Sequence, residues 1–497
     1  MDSQTSDSKN QEIVSNSNLS IFAALLPVFV LVGLLAINVY IFEDDSLDGS
    51  NQFVLLLGAA FAVFIGYLHK VPYKSMVAEV SQNIKSTSTA LLILLMVGAL
   101  SGTWLISGII PTMIYYGLQV LHPNIFLVAC VIICAVISIS IGSSWTTTAT
   151  VGIALIGIAQ ALGISTAMAA GAILSGAYFG DKLSPLSDTT NLAPVMAGTD
   201  LFTHIKYMAY TTVPSVLVAL IVFAVMGFTM DTTGVADVSE IMIGLEESFL
   251  ISPWFFLVPA LVIVLIIKKT PPLIALLFGT LSAALLALVF QPELVLIASG
   301  EDTSQGFKSA YKGIFNAITT DFVIPTNQPI LEGLFESSGM KGMLNTIWLI
   351  ICAMVFGGVM DAIGALTKIT EALLGLFKSV FGLFASTVAS CLALNITASD
   401  QYLAIVVPGK MFAQAYEDKG LAPENLSRTL EDSGTVTSVL IPWNTCGAYH
   451  SGVLNVSVVD FLPFAIFNYV SPMMTLVFAA LHIKIRQLTE GSEDELA

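Results

Sequence analysis

The chain has 497 residues, 56% of them hydrophobic and 11% charged, where an ordinary soluble domain carries roughly 25% charged residues. This excludes a soluble globular protein, and repeated apolar runs close to the ~20 residues that cross a hydrocarbon core describe an all-α polytopic membrane protein. Lys and Arg number 18 against 35 Asp and Glu, a net charge of −17, so no basic surface is expected to neutralise the phosphates of a nucleic acid, and such a partner is not expected.

In chain order, residues 1–20 are polar and acidic without a basic n-region, and read as a tail rather than a cleavable signal. Apolar runs follow at 21–42, 53–68, 90–121 with an interruption at Ser101-Gly102, and 125–141. Shorter runs at 146–162, 166–180 and 186–197 are separated by polar clusters that a continuous lipid-exposed helix would not tolerate, and 208–230 is an ordinary span. After an acidic linker at 231–250, the second half repeats the scheme. Spans are predicted at 254–267, 272–290, 344–360 and 366–381, then short segments at 383–395, 402–415, 430–440 and 447–458, a last span at 461–483, and an acidic tail at 484–497. The five cysteines lie in apolar stretches without CxxC pairing and read as packing residues.

The halves correspond at an offset of 256 residues: Gly102 with Gly358, Gly108 with Gly364, Leu127 with Leu383 and Ser143 with Ser399, then, one inserted residue later, Pro185 with Pro442 and Ser187 with Asn444. Each half holds an odd number of crossings, so the expectation is two inverted-topology repeats (21–230 and 251–483) with about ten spans, two re-entrant hairpins at Ser143 and Ser399 and two broken helices, the pattern of secondary transporters. With the N-terminus cytoplasmic, fourteen basic residues fall inside and three outside, leaving Lys182 in the membrane, so both termini are expected to be cytoplasmic.

Four polar clusters lie where hydrocarbon should be: Gly142 to Thr148, Asp181 to Asn191, Thr397 to Gln401, and Pro442 to Thr445. Proline forces a break, and the freed carbonyls together with hydroxyl, amide and carboxylate oxygens can replace the hydration shell of a hard cation such as Na+. Isolated hydroxyls also glue helices together, so the symmetry of the four clusters carries the ion-binding reading. Its candidates are Ser143, Ser144, Asp181, Ser187, Asp188, Thr189, Asn191, Ser399, Asp400, Asn444 and Thr445, with Na+ near Asp188, Thr189, Asn444 and Thr445. Asp188 is the leading acid, since it follows Pro185 inside the break with no base near it in sequence, whereas Asp181 and Lys182 offer an alternative as a structural ion pair. Glu431, Asp432, His450 and Asp361 are proton-relay candidates, Asp361 also as a cap of its span. His69, His122, His204 and His482 sit at span ends and read as interfacial. Gly98 to Gly102 and Gly176 to Gly180 are GxxxG spacings for close helix packing.

The segment SGAYFGDKLSPLSDTTNLAPVMAGTDLFTHIKYMAYTTVPS at 175–215 closely resembles the NhaC-type Na+/H+ antiporter family of the ion transporter superfamily, and the likeness extends through GSSWTTTATVG at 142–152 to the segments around Asp400 and Trp443-Asn444-Thr445. The resemblance implies a sodium-linked exchanger of the bacterial inner membrane with an elevator-type motion of the hairpin and broken-helix core, with Na+ as transported ion and no other cofactor. Family members include malate and lactate exchangers, so an organic acid or amino acid stays open as substrate. An enzyme is not expected: Gly180-Asp181 lacks the partner motif of a membrane aspartyl protease, and there is no HExxH. The oligomeric state stays open, a homodimer among the alternatives.

The basic asymmetry predicts that a cysteine at Ser46 reacts with an impermeant thiol reagent added outside intact cells while one at Ser492 does not. Labelling of the reverse pattern would invert the orientation.

Overall fold

The computed structural model describes residues 18–42, 49–230, 238–301, 306–326, 335–375 and 379–488. Most of the expected N-terminal tail (1–17), the start of the acidic linker (231–237) and most of the C-terminal tail (489–497) lie outside the described residues. Eight described helices are long and apolar enough to cross a membrane, or up to ten if two bent helix pairs each count as one span.

Helices α1 (Ile21–Phe42) and α2 (Ser50–Leu68) lead into α3 (Tyr73–Ile106), 34 residues long, followed by α4 (Ile109–Val120). The break between α3 and α4 falls at Gly108, whose φ of 79° suits glycine, not at Ser101-Gly102. Gly102 stays helical for a packing reason: a Cβ there would sit 1.8 Å from the Ala317 carbonyl oxygen. The hairpin α5 (Pro123–Ile141) and α6 (Ser144–Thr147) continues through a π-helical turn at Thr148–Gly152 into α7 (Ile153–Ala161). Then α8 (Thr166–Leu183) and α9 (Asp188–Ala197) form a broken helix, and α10 (Leu201–Thr229) is the last span of the first half.

The acidic linker is partly helical, α11 (Val238–Ser248), and meets the 3-10 turn Pro253–Phe256 and α12 (Leu257–Ile267) at a bend of 82°. Helices α13 (Pro272–Phe290), α14 (Pro292–Ser299) and α15 (Phe307–Thr319) precede one small antiparallel strand pair, β1 (Phe322–Val323) and β2 (Glu336–Ser337), the one strand pair among the described residues of an otherwise helical chain. Next come α16 (Gly339–Gly342), α17 (Leu344–Ala362) and α18 (Ala365–Gly375). The expected span at 366–381 is not one helix: α18 is 11 residues long, and Val380 already belongs to α19 (Val380–Thr397), an 18-residue helix where a short segment was expected. The hairpin closes with α20 (Leu403–Glu417). The second broken helix runs from α21 (Pro423–Leu430) through a π turn at Glu431–Thr435 and a 3-10 turn at Ser438–Leu440 to α22 (Thr445–Leu454). The last span, α23 (Val458–Phe461) and α24 (Ile466–Ala480), is bent by 54°.

The halves follow one scheme. Gly108 and Gly364, 256 residues apart, are left-handed (φ 79° and 75°) at equivalent breaks. The first residues of α8 and α21, of α9 and α22, and of α10 and α23 are each 257 apart.

Lipid tails are as apolar as leucine, so tight approach of backbones supplies much of the cohesion between helices. Both GxxxG pairs serve this purpose. A Cβ at Gly98 would lie 2.3 Å from the Gly339 oxygen, at Gly176 2.2 Å from that of Val131, and at Gly180 2.5 Å from that of Ala135. Gly176→Ala is therefore expected to destabilise the protein by about 1 to 3 kcal/mol through overpacking, whereas Gly33→Ala, with open space around the new methyl, should leave the detergent melting temperature unchanged. Equal melting temperatures for the two variants would refute the packing role of Gly176.

Candidate functional site

Each hairpin tip reverses the chain by the same device. Gly142 ends α5 in the left-handed region and donates its N–H to Ser138 O at 2.7 Å, and Ser143 then caps α6, its Oγ accepting from Thr146 N at 3.2 Å. In the second hairpin Ser399 takes the left-handed position (φ 59°), and Asp400 Oδ1 accepts from Leu403 N at 2.9 Å. A serine is less at ease there than a glycine, and its neighbours hold it: its carbonyl accepts from Thr445 N at 3.0 Å.

Each tip abuts the broken helix of its own half. Beside Gly142 there is no room for a Cβ, which would lie 2.6 Å from Leu186 Cβ and 2.8 Å from Ser187 N. Ser187 caps α9, and Asn444 caps α22, its Oδ1 accepting from Cys446 N at 3.0 Å. Two positive helix N-termini thus meet the negative C-terminal ends of the two hairpin arms α5 and α19. Carboxylates tip this balance. Asp188 is the first residue of α9, exposed, with Oδ1 accepting from Thr189 N at 3.0 Å and Oδ2 bound by the Tyr402 hydroxyl from the opposite half. Asp181 is buried; Oδ2 accepts from Ser144 N (3.0 Å) and Ser144 Oγ (2.7 Å), while Oδ1 has no partner. Glu431 lies behind Thr189, which donates to its Oε1 at 3.0 Å, and its Oε2 is unpartnered.

A cavity of about 360 Å³ joins the two halves, lined by Ser143, Asp181, Asp188, Thr189, Asp400 and Thr445 among others. No lysine, arginine or histidine lines it among the described residues. Its remaining wall holds groups not foreseen as site residues: Ser86, Thr87 and Thr89 of α3, with Trp145, Thr146, Gln401 and Tyr402 at the tips. The polar run Lys85-Ser86-Thr87-Ser88-Thr89 inside a long apolar helix was the available signal for the α3 wall. Other candidates stand back from the cavity. Ser144 supports Asp181, and Ser187 and Asn444 act as caps, Asn444 also donating to Asn395 O at 3.0 Å. Asn191 is exposed and ties the loop, donating to Pro185 O at 3.0 Å. Ser399 is buried with its hydroxyl unpartnered, and Asp361 sits at the end of α17.

A second cavity, about 470 Å³, lies further along α3, between Val97 and Leu105, against Glu336, Gln160 and the C-terminal end of α22. Trp145, in the wall of the first cavity, stacks on Tyr449 with ring centroids 4.0 Å apart, and the adjacent His450 has its Nδ1 3.0 Å from Thr148 Oγ1 and its Nε2 unpartnered. His204, expected at an interface, is fully buried with Nδ1 2.9 Å from Ser427 Oγ.

The Asp181–Lys182 pairing is replaced by a long-range one. Lys182 forms a fully buried ion pair with Asp432 of the π turn and donates to Ser471 Oγ at 3.0 Å; Asp432 Oδ2 accepts from Thr211 Oγ1 at 2.7 Å and from Thr475. Both charges are satisfied, and Asp432 does not line the cavity, which makes the pair a brace between α8, the π turn, α10 and α24. Removing one partner leaves a buried charge unpaired, a cost of about 3 to 5 kcal/mol. Lys182→Met should lower the melting temperature sharply, and adding Asp432→Leu should recover part of the loss. A double variant no more stable than the single one would refute the brace.

A profile described as the Na+/H+ antiporter family matches residues 176–483. The chain is similar to the Na(+)/H(+) antiporter NhaC of Alkalihalophilus pseudofirmus, 36% identical over 88% of this chain and 90% of that protein, and to the Na(+)/H(+) antiporter NhaC of Bacillus subtilis, 33% identical over 85% and 90%. It is also 36% identical to the malate-2H(+)/Na(+)-lactate antiporter of Bacillus subtilis, over 87% of this chain and 89% of that one. With alignments spanning nearly the full length of both partners, this multi-pass membrane protein belongs to the Na+/H+ antiporter family.

Proposed function

We propose that the protein is a secondary active transporter exchanging Na+ for H+ across a bacterial inner membrane, both termini cytoplasmic, with Asp188 carrying the exchanged charge. The observation that carries the reading is the cavity between the halves: three carboxylates, several hydroxyls and an amide line it, and no basic side chain does among the described residues. A malate-like substrate would meet three carboxylates there with only helix N-termini to receive its own, and Lys182, the buried base nearest in sequence, is already held by Asp432. A carboxylate shared between Na+ and H+ holds one or the other, and this competition produces exchange. The Thr189 hydroxyl, one side on the cavity and the other on Glu431, makes Glu431 the neighbouring proton acceptor.

The recurring breaks support two inverted repeats, and the two cavities support an elevator. Both face α3, one around Ser86 to Ile93 and the other around Val97 to Leu105; at 1.5 Å per residue they are about 15 Å apart along the helix axis. A hairpin and broken-helix core moving that distance along α3 would carry the site from one cavity level to the other. The stacked Trp145 and Tyr449 rings are then the barrier that travels with it.

Asp188→Asn keeps shape and removes the titratable charge. In everted vesicles at matched expression, Na+-induced pH change should collapse in this variant. In the wild type, raising pH removes competing protons, so the apparent Na+ constant should fall. Near-normal exchange in Asp188→Asn would remove Asp188 from the role, and malate or amino-acid uptake without any Na+-induced pH change would overturn the Na+/H+ reading in favour of an organic substrate.

A further inference from the structure

A third pocket, about 450 Å³, shares no lining residue with the first cavity and lies between the first turns of α10 and the segment that follows α24. Its lining is basic and aromatic: Lys206, Tyr207, Tyr210, Lys484 and Arg486, with no carboxylate among the described residues. The pocket is held in shape by main-chain bonds of the C-terminal segment, Ala422 N donating to Arg486 O at 3.0 Å and Leu488 N to Gly420 O at 2.8 Å. The Tyr207 hydroxyl is 2.7 Å from Asn425 Oδ1 and accepts from Arg486 N at 3.2 Å.

Behind this wall is Arg428. Its side chain is fully buried, its guanidinium lies 4.7 Å from the centre of the Tyr207 ring, and Nη1 is 3.5 Å from the Lys484 carbonyl. Its Nε and Nη2 have no hydrogen-bond partner, and no carboxylate pairs with it among the described residues. The acid beside the pocket, Glu424, is taken up by Arg486 at 2.7 Å. In a chain of net charge −17, Lys206, Lys484 and Arg428 gather at this corner with no carboxylate paired to any of them among the described residues. It also borders an apolar surface: Val213, Leu217, Ile221 and Val225 run down α10 as an exposed stripe at helical spacing.

A basic pocket opening onto a lipid-facing stripe matches a molecule with an anionic head and an apolar tail. We propose that this pocket binds the phosphate of an anionic lipid headgroup, Lys206 and Lys484 contacting the phosphate and the acyl chain lying along the α10 stripe. The bound leaflet is the cytoplasmic one under the orientation proposed above. Free phosphate shares the headgroup chemistry but has no use for the stripe.

The test uses purified full-length protein in an uncharged detergent, its thermal unfolding followed against added phosphatidylglycerol, phosphatidylcholine or inorganic phosphate. Phosphatidylglycerol should raise the melting temperature while the other two, at equal concentration, do not. Lys206→Gln with Lys484→Gln, both exposed positions, should weaken the apparent phosphatidylglycerol affinity about 30-fold, corresponding to about 1 kcal/mol for each charge. Lys268→Gln with Lys269→Gln, basic residues remote from the pocket in sequence, should keep the response. The site is overturned by an undiminished response in the first variant or by an equal loss in the second, and a shift produced by phosphate alone overturns the lipid as its source. Native mass spectrometry of the unmodified protein gives a reading independent of any variant: phosphatidylglycerol adducts should survive activation that strips phosphatidylcholine, and equal survival counts against the proposal. Neither measurement requires exchange activity, so failure here leaves the Na+/H+ reading standing.

Discussion

Within hydrocarbon every backbone N–H and C=O needs a protein partner, and a chain that interrupts its helices there must satisfy the freed groups locally. The centre of this protein depends on how it meets that demand. Two hairpin tips and two broken helices meet in pairs, each break closed by a side-chain cap: Ser143, Asp400, Ser187 and Asn444. The caps consume much of the polar inventory that the sequence offers. What lines the cavity between the halves besides these caps is mainly acid and hydroxyl, Asp181, Asp188, Thr189 and Thr445 among them.

Charge is partitioned with equal care. Positive helix ends at α9 and α22 would favour an anion by themselves, and the acids in and around the cavity reverse that preference. The buried base that could cancel them is occupied: Lys182 is held by Asp432, Ser471 and the face of Phe467, whose ring centre is 5.5 Å from Nζ. A fully bonded pair of this kind contributes position more than net stability. It fixes α8 against α10 and α24, and so fixes the floor on which Asp181 stands.

The same economy governs the outer packing. Where backbones approach closely, glycine is required, and the glycines of α3 and α8 each accept a carbonyl edge from a neighbouring element. This leaves α3 helical through Gly102, so that a single continuous helix lines both cavities, the first through Ser86, Thr87 and Thr89 and the second through Val97 to Leu105.

Much of this was legible in the sequence because its determinants are local. Apolar runs of span length, Pro and Gly at breaks, hydroxyl-rich clusters and a repeat near 256 residues are read directly from residue order, and they located most of the spans and several residues that line the cavity between the halves, Asp181, Asp188, Thr189, Asp400 and Thr445 among them. The tertiary structure decided what depends on distant partners. Lys182 chose Asp432, 250 positions away, over the adjacent Asp181. Gly102 is a packing contact and Gly108 the break, a distinction set by the Ala317 carbonyl. Asp188 faces the cavity while Ser144, Asn191 and Asn444 are spent on local bonds, and Tyr402 and the α3 hydroxyls join the wall only because the two halves fold against each other. A side chain's chemistry is written in its type, but whether that chemistry is free to act is decided by which partners the fold brings within hydrogen-bonding distance.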